Sequence, residues 1–281
     1  MSIKILIDSA CDIVKAEAQK LGITLIPMEI TFADKTYYDG FDLSHDKFYE
    51  LLSESKEIPQ TSQINEYRFE EAFTELTADG SEVLCITMSS KLSGTCERAK
   101  HAAKKFDGNV AVVDSYNVAI GERILLDYAI RLVKDGLSLQ EVKKELDDKK
   151  HKIQLVAYVD SLKYLYKGGR LTATSTAVGT ILNIKPIVEM GEGVVKVVGK
   201  VLGIKKAFSL IYEKMEKLGK IDFTKPFAVG YSGVDDSNLV RFVEGLKEKF
   251  VEFKNVCKYQ IGSTIGTHIG DGCVGIAYFS K

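Results

Sequence analysis

Short apolar runs alternate along the first half of the chain with segments that repeat apolar positions every three to four residues. The runs are rich in β-branched residues, as buried strands are, and lie at residues 3–7, 83–88, 109–113 and 153–159. Residues 121–134 carry the helical repeat, and Ser138 and Glu141 form a capping box that opens a further helix to about residue 149. Strands that alternate with helices predict an α/β fold, in which a mainly parallel sheet is flanked by helices.

The second half of the chain has a different pattern. Residues 185–189 and 194–198 predict a hairpin around residues 191–193 (GEG), and residues 274–279 predict a final strand. Residues 172–182 (TATSTAVGTIL) predict a helix of small and apolar residues without any charge. A helix that is uncharged on all sides is usually buried, and its small side chains leave room beside it for another helix or a slender ligand.

Two segments near the N-terminus interrupt the alternation. Residues 23–30 predict a strand in which Pro27 marks an edge or a bend. Residues 31–43 contain turn signals at Asp34-Lys35 and Asp39-Gly40 and predict an irregular connection.

Hydroxyl groups cluster at two predicted helix entrances. Thr61 and Ser62 precede a helix predicted at residues 65–77, and Ser93 precedes one predicted at about residues 94–106. The first N–H groups of a helix lack partners within it, and the helix dipole favours negative charge there, so such an entrance can seat a carboxylate or a phosphate. These hydroxyls can equally serve as ordinary N-caps, and both interpretations stay open at this point.

Small polar residues also follow four of the predicted strands. They are the pairs Asp8-Ser9, Ser89-Ser90, Asp114-Ser115 and Asp160-Ser161. Ligands of open α/β sheets bind beyond the carboxyl ends of the strands, so these pairs favour a site at that edge. Helix capping accounts for part of the pattern, because βα loops often end in Asp or Ser.

The composition of the chain argues against several classes of function. The 281 residues are 45% hydrophobic and carry a formal net charge of −1, which gives no footprint for nucleic acid or an anionic membrane. No apolar run has the length of a membrane span. The chain enters a strand at once, without a signal peptide, and its five cysteines have no metal-ligand spacing, which predicts a cytoplasmic protein with reduced thiols.

Candidate catalytic groups are few. Ser93 and the glycine-surrounded His268 could supply two members of a serine-hydrolase site, but the G-x-S-x-G elbow is absent and no third member is evident. Both nucleotide-binding glycine motifs are missing, and the four histidines are widely scattered, so neither a cofactor nor a metal is predicted. What remains is a donor-rich seat for an anion beside an apolar second half.

A ligand with a carboxylate head and an apolar tail matches both features. Burial of a methylene group contributes about 0.8 kcal/mol, so a sixteen-carbon tail would contribute roughly 12 kcal/mol before the costs of association. That is enough to retain such a ligand tightly even if only neutral donors hold its head.

Six motifs resemble the DegV family of bacterial fatty-acid-binding proteins, which includes the lipid-binding subunits of fatty acid kinase. They occur in family order at residues 8–12 (DSACD), 59–63 (PQTSQ), 89–95 (SSKLSGT), 114–115 (DS), 164–170 (YLYKGGR) and 265–270 (IGTHIG). The sequence departs from the family pattern at Tyr166 and Leu202, where positively charged residues are common.

The resemblance implies two domains with the ligand between them. Residues 1–152 would form an N-terminal α/β domain with the carboxylate-binding loops, and residues 153–281 a C-terminal α+β domain with the acyl pocket. The residues expected to line that pocket are Ala177, Val178, Ile181, Leu182 and Ile187.

The resemblance also implies a role for each end of the ligand. The carboxylate of a long-chain fatty acid would be bound by Thr61, Ser62, Ser93, Gly94 and His268. The protein would do no chemistry alone and would present this carboxylate to a separate ATP-dependent fatty acid kinase, which makes acyl phosphate for phospholipid synthesis. Arg170 would lie on the face toward the kinase, and peripheral contact with a membrane fits the same role.

The sequence therefore leaves three hypotheses about the function of the protein. The first is a carrier that binds a long-chain fatty acid and has no catalytic residue, cofactor, metal or nucleic-acid partner. The second is a serine hydrolase that acts on acyl esters through Ser93 and His268. The third is a regulatory or scaffold protein with an unrelated small ligand.

Overall fold

The computed structural model describes residues 2–171, 183–217, 220–250, 252–253 and 255–281. The uncharged helix predicted at residues 172–182 lies outside the described residues. So do four of the residues expected in the acyl pocket, namely Ala177, Val178, Ile181 and Leu182.

Strands and helices alternate over most of the described chain. The strands are β1 (Ile3–Asp8), β2 (Thr24–Ile26), β3 (Glu29–Phe32), β4 (Lys35–Tyr38), β5 (Gln60–Ser62), β6 (Glu82–Thr87), β7 (Val110–Asp114), β8 (Ile153–Tyr158), β9 (Ile184–Gly191), β10 (Val194–Leu202), β11 (Phe227–Tyr231), β12 (Cys257–Gln260) and β13 (Val274–Phe279). The helices are α1 (Lys15–Leu21), α2 (His45–Glu54), α3 (Glu66–Thr77), α4 (Thr95–Ala103), α5 (Ala119–Lys134), α6 (Leu139–Lys149), α7 (Lys163–Lys167), α8 (Ile204–Lys217), α9 (Ser237–Lys249) and α10 (Ser263–Ile269).

The described strands form three sheets. The first has the order β2-β1-β6-β7 and is parallel throughout. The second has the order β10-β9-β8-β13-β11-β12 and is antiparallel except between β11 and β12. The third is a small antiparallel sheet of order β4-β3-β5. This arrangement confirms the predicted α/β class with a further sheet region, while the domain boundary at residues 152/153 stays a prediction.

Helix α5 joins the two larger sheets into one core. It contacts β1 of the first, parallel sheet and β8, β11 and β13 of the second sheet, which we call the mixed sheet. Eleven of its residues are buried, including nearly the whole stretch from Ala119 to Ala129. A helix that is buried on most of its surface belongs inside a core, and here it fills the space between two sheet faces.

Local sequence signals account for several element boundaries. Ser138 and Glu141 form the predicted capping box at the start of α6. The predicted hairpin is confirmed, since β9 and β10 pair antiparallel through Gly191 and Val194. Pro27 marks the predicted bend, because β2 ends at Ile26 in the parallel sheet and β3 begins at Glu29 in the small sheet.

One local prediction is wrong, and one of the two interpretations left open for Thr61 and Ser62 is excluded. Residues 31–43 are not wholly irregular, because Lys35-Thr36-Tyr37-Tyr38 pairs with β3 as the antiparallel strand β4, as threonine and tyrosine favour. Thr61 and Ser62 do not cap the following helix. They lie in β5 and pair with β3, while Asn65 caps α3 through a bond from the Arg68 N–H.

No helix within the described residues combines the length and the apolar character that a membrane crossing requires.

Candidate functional site

A cavity of about 460 Å³ lies where the parallel sheet, the small sheet and α10 meet. Every residue predicted to bind the carboxylate lines it, and so does the predicted partner-facing Arg170. Most of its lining residues come from three separate parts of the chain. These are the end of β5 with Gln63, the loop between β6 and α4, and helix α10. Residues 207 positions apart in sequence, Thr61 and His268, therefore share one space.

The hydroxyl of Thr61 faces the imidazole of His268. Thr61 Oγ1 lies 2.9 Å from His268 Nε2, while the buried His268 Nδ1 has no hydrogen-bond partner among the residues that the structure describes. A proton on Nδ1 would be a buried donor without an acceptor. We therefore assign the tautomer of His268 that carries its proton on Nε2. Nε2–H then donates to Thr61 Oγ1, so the hydroxyl hydrogen of Thr61 is left to donate to a ligand in the cavity.

Ser93 is placed in an equivalent way by Thr95. Ser93 Oγ accepts from the Thr95 N–H at 3.2 Å and lies 2.9 Å from Thr95 Oγ1. Thr95 is fully buried, and its Oγ1 also accepts from the Ile64 N–H at 3.3 Å. If the Thr95 hydroxyl donates to Ser93, the hydrogen of Ser93 is likewise left for a ligand. The bond from Ile64 ties the loop that carries Ser93 to the segment that carries Thr61.

Gly94 and Gln63 bring these two loops into close contact. The N-cap position of α4 is occupied by Gly94 and not by Ser93, so Ser93 is not the helix cap. A Cβ at Gly94 would overlap Oε1 of Gln63. A side chain at this position would therefore require the flexible end of Gln63 to move away.

Burial keeps His268 neutral. It lowers the pKa of His268 to about 4, and the positive charge of Arg170 acts in the same direction. The unfolded chain takes up this proton near pH 6.5 and the folded chain only near pH 4. The free energy of unfolding therefore decreases as the pH falls from about 6.5 to 4.

We expect the imidazole of His268 to titrate near pH 4 in the ligand-free protein. A carboxylate bound beside it should raise this pKa, because a negative charge stabilises the imidazolium. Proton NMR of the Cε1–H signals would measure both values, with the signal assigned by its loss in His268→Gln. A midpoint near pH 6.5 without ligand would contradict the buried, neutral ring.

Polar residues at the ends of the parallel strands hold the β6–α4 loop. Asp8 accepts from the Met88 N–H at 2.8 Å and from the Ala10 N–H at 2.9 Å, and Asp114 accepts from the Ser90 N–H at 3.2 Å. Burial raises the pKa of Asp8 to about 7, against the effect of the two N–H donors. Of these residues, Met88 and Ser90 line the cavity. The two aspartates serve the site by shaping its loop.

The fourth polar pair, Asp160-Ser161, does not lie at this edge of the parallel sheet. Asp160 follows β8, which belongs to the mixed sheet, and its carboxylate pairs with Lys185. The prediction that four strand ends share one edge is therefore wrong for this strand. The alternation of strands and helices continues through β8, and only the long-range pairing with β13 and β9 separates it from the parallel sheet.

An apolar compartment of about 60 Å³ adjoins the cavity. The two share the residues Val118, Leu165, Val195, Ile265 and Ile269. The floor of the compartment is one row of the mixed sheet, in which successive cross-strand partners are Val188, Ala157, Gly275 and Gly230. Because these side chains are small or absent, the row forms a groove that leads away from the hydroxyl groups.

Ile187 lies on the other face of the same sheet. It is fully buried with Tyr158 and Phe208 in a separate cluster, whereas its neighbour Val188 lines the compartment. Successive residues of a strand point to opposite faces, so the place expected for Ile187 is taken by Val188. This corrects the one expected pocket residue that the structure describes.

The pair required by the hydrolase hypothesis is not formed. His268 Nε2 is bonded to Thr61, and Ser93 is bonded to Thr95. A serine nucleophile needs a base within hydrogen-bond reach and a group that orients that base. Among the described residues, the free ring nitrogen of His268 has no such group.

Sequence reasoning missed the floor of the compartment and several cavity residues, among them Gln63 and Thr264. Gln63 stood inside a recognised motif, and Thr264 stood inside the glycine-rich segment before His268. The signal for the floor was present as small residues at Ala157, Gly230 and Gly275, but only strand register shows that they are adjacent.

Known proteins match the whole chain. A family model described as "Uncharacterised protein, DegV family" matches residues 2–281. A DegV domain-containing protein of Caldanaerobacter subterraneus is 35% identical over 280 residues, which cover 99% of each chain.

Solved structures of similar proteins match the fold closely. A DegV family protein from Thermus thermophilus, described by its fatty acid binding, has a TM-score of 0.90 and 26% identity over 100% of both chains. DegV from Bacillus subtilis, described as a fatty acid binding protein, has a TM-score of 0.84 and 30% identity over 100% of both chains. By the extent of these matches, the chain belongs to the DegV family.

Proposed function

We propose that the protein binds a long-chain fatty acid, with its carboxylate between Thr61 and Ser93 and its tail in the apolar compartment. One observation carries the proposal: a cavity with two hydroxyl groups on its wall shares five lining residues with an apolar compartment floored by small residues. The fatty acid binding described for the similar proteins of Thermus thermophilus and Bacillus subtilis supports it.

The head end of the cavity suits a carboxylate. The hydroxyls of Thr61 and Ser93 each have a neighbour that can donate to their oxygen, so each can donate its own hydrogen to a ligand without rearrangement. Hydrogen bonds to a charged group are about twice as strong as those between neutral groups. The partly buried Arg170 adds positive charge at the same wall, while the neutral His268 avoids the cost of a buried cation.

The tail end suits a flexible hydrocarbon. The compartment is lined almost entirely by apolar side chains and glycines, and its volume of about 60 Å³ is small against a long acyl chain. A long tail would therefore also extend into the adjoining cavity or move the walls of the compartment apart, and it would gain contacts with both sheet and helix.

We propose further that the carboxylate is presented to an ATP-dependent fatty acid kinase for acyl-phosphate formation. Arg170 and His268 line the binding cavity and also an outer groove of about 510 Å³, in which Lys56 and Lys167 add positive charge. This groove gives a partner access to the head of the ligand. Incubation of the lipid-loaded protein with such a kinase and ATP, followed by trapping of acyl phosphate as a hydroxamate, tests this step.

Native mass spectrometry tests the binding proposal itself. Protein purified from bacteria, or offered palmitate or oleate, should carry one additional mass that equals a single long-chain fatty acid. Extraction and analysis of the released lipid would identify it. A protein that stays empty in the presence of both acids would refute the proposal. Covalent labelling of Ser93 by a fluorophosphonate would instead favour a hydrolase.

A further inference from the structure

Helix α10, which carries His268, is held at its N-terminus by carboxylates from the first part of the chain. Asp39 accepts from the N–H groups of Ser263 and Thr264 at 3.1 and 3.0 Å, and from Thr264 Oγ1 at 2.5 Å. Asp12 accepts from the Gly262 N–H at 2.8 Å. The first free N–H groups of α10 are therefore capped from a segment more than 220 residues away in sequence.

Asp39 is itself rigidly placed. It follows β4, its side chain is almost fully buried, and its N–H donates to the carbonyl of Met28 at 3.0 Å. Gly40 next to it has φ of +73° and packs against the backbone of Ile13 and Val14. A negative charge at a helix N-terminus is favoured by the helix dipole, and burial strengthens that interaction.

Asp39 holds the side of α10 that faces the ligand cavity. Thr264 and His268 are four residues apart, which places them on the same face of the helix one turn from each other. Both line the cavity. Any rotation or slide of α10 at Thr264 would therefore move His268 relative to Thr61, which belongs to the small sheet.

We propose that Asp39 is a positioning residue for the fatty-acid head group. By binding Ser263 and Thr264 it sets the rotation of α10 and keeps His268 Nε2 against Thr61, so that the Thr61 hydroxyl stays available to the carboxylate. This inference rests on the proposed function for its effect on affinity. Its structural part, the link from Asp39 to His268, applies to the empty protein as well.

Asp39→Asn is the matched substitution. The amide keeps the shape of the side chain but presents an NH₂ group to one of the donors on Ser263 or Thr264, so one bond becomes a donor–donor contact. Asp42→Asn is the control, because Asp42 lies in the same loop, is exposed and bonds to the Tyr38 N–H instead of α10.

The first measurement is the ¹⁵N spectrum of the His268 imidazole in the ligand-free protein. We expect Asp39→Asn to shift the Nε2 signal, and Asp42→Asn to leave it unchanged. Thr264→Val removes only one of the three bonds to Asp39 and should shift the Nε2 signal less. It replaces Asp39→Asn in this measurement if that variant does not fold. An unchanged signal in Asp39→Asn, or in Thr264→Val when it is used instead, would overturn the proposal.

The second measurement is a double-mutant cycle on palmitate affinity. Asp39→Asn should weaken binding about tenfold, as expected for loss of a charged hydrogen bond, and should have little further effect in a His268→Ala background. Equal effects in both backgrounds would show that Asp39 does not act through His268. Absence of palmitate binding by the unmodified protein would instead refute the proposed function, while the imidazole spectrum would still test the link.

Discussion

Ala157→Leu is expected to weaken the binding of palmitate at least a hundredfold while the protein remains folded. Ala157 lies in the middle of the small-residue row, between Val188 and Gly275 on the neighbouring strands. A leucine side chain there projects into the apolar compartment and takes the place of three to four methylene groups of the tail. At about 0.8 kcal/mol per methylene the loss is roughly 3 kcal/mol, or about two orders of magnitude in affinity.

The same substitution should leave the empty protein folded. The new side chain enters an apolar space and leaves no polar group unsatisfied, so the cost of overpacking should stay within about 1–3 kcal/mol. Gln154→Leu is the matched control, because Gln154 lies on the same strand but its side chain points to the opposite face. Isothermal titration with palmitate and thermal unfolding of both variants would measure the two effects. Normal palmitate affinity in Ala157→Leu would place the tail elsewhere.

The combined substitution Thr61→Val and Ser93→Ala is expected to weaken fatty-acid binding by a similar or larger factor. Each change removes one O–H donor to a carboxylate, which contributes about 1.5–3 kcal/mol, so the pair should lower affinity by two orders of magnitude or more. Ser93→Ala alone should lower it by about ten- to a hundredfold. Valine preserves the shape of threonine and suits the strand position of residue 61.

An uncharged ligand distinguishes the contribution of the head group to affinity from that of the tail. Hexadecanol fills the same apolar compartment but forms only neutral hydrogen bonds, which contribute about 0.5–1.5 kcal/mol each. The double variant should therefore lose much less affinity for hexadecanol than for palmitate, whereas Ala157→Leu should lose affinity for both. Equal losses for the two ligands in the double variant would mean that the carboxylate is bound elsewhere.

Local signals in the sequence predict the head of the site well. The residues around Thr61 and Ser93 occur in short motifs, and the parallel strands β1, β6 and β7 end in polar residues that the fold brings to one edge. These features depend on short stretches of chain, whose hydrophobic period and turn residues can be read directly. The bond from Ile64 to Thr95 that joins the two loops is visible only in three dimensions.

The floor of the compartment and the anchoring of α10 could not be predicted in the same way. The row of Val188, Ala157, Gly275 and Gly230 arises from the register of four strands that are far apart in the chain. A shift of one residue would turn Ile187 instead of Val188 toward the ligand, and nothing local decides between them. Asp39 looked like a turn residue, and its contact with Thr264 depends on packing across the whole molecule.

The most direct test of the account is a crystal structure with an ω-brominated long-chain fatty acid, in which anomalous scattering locates the end of the tail. We expect the carboxylate within hydrogen-bond distance of Thr61 and Ser93, and the bromine inside the apolar interior beyond Ala157 and Gly275. A carboxylate bound away from these hydroxyls, or a bromine signal on the outer surface, would contradict it.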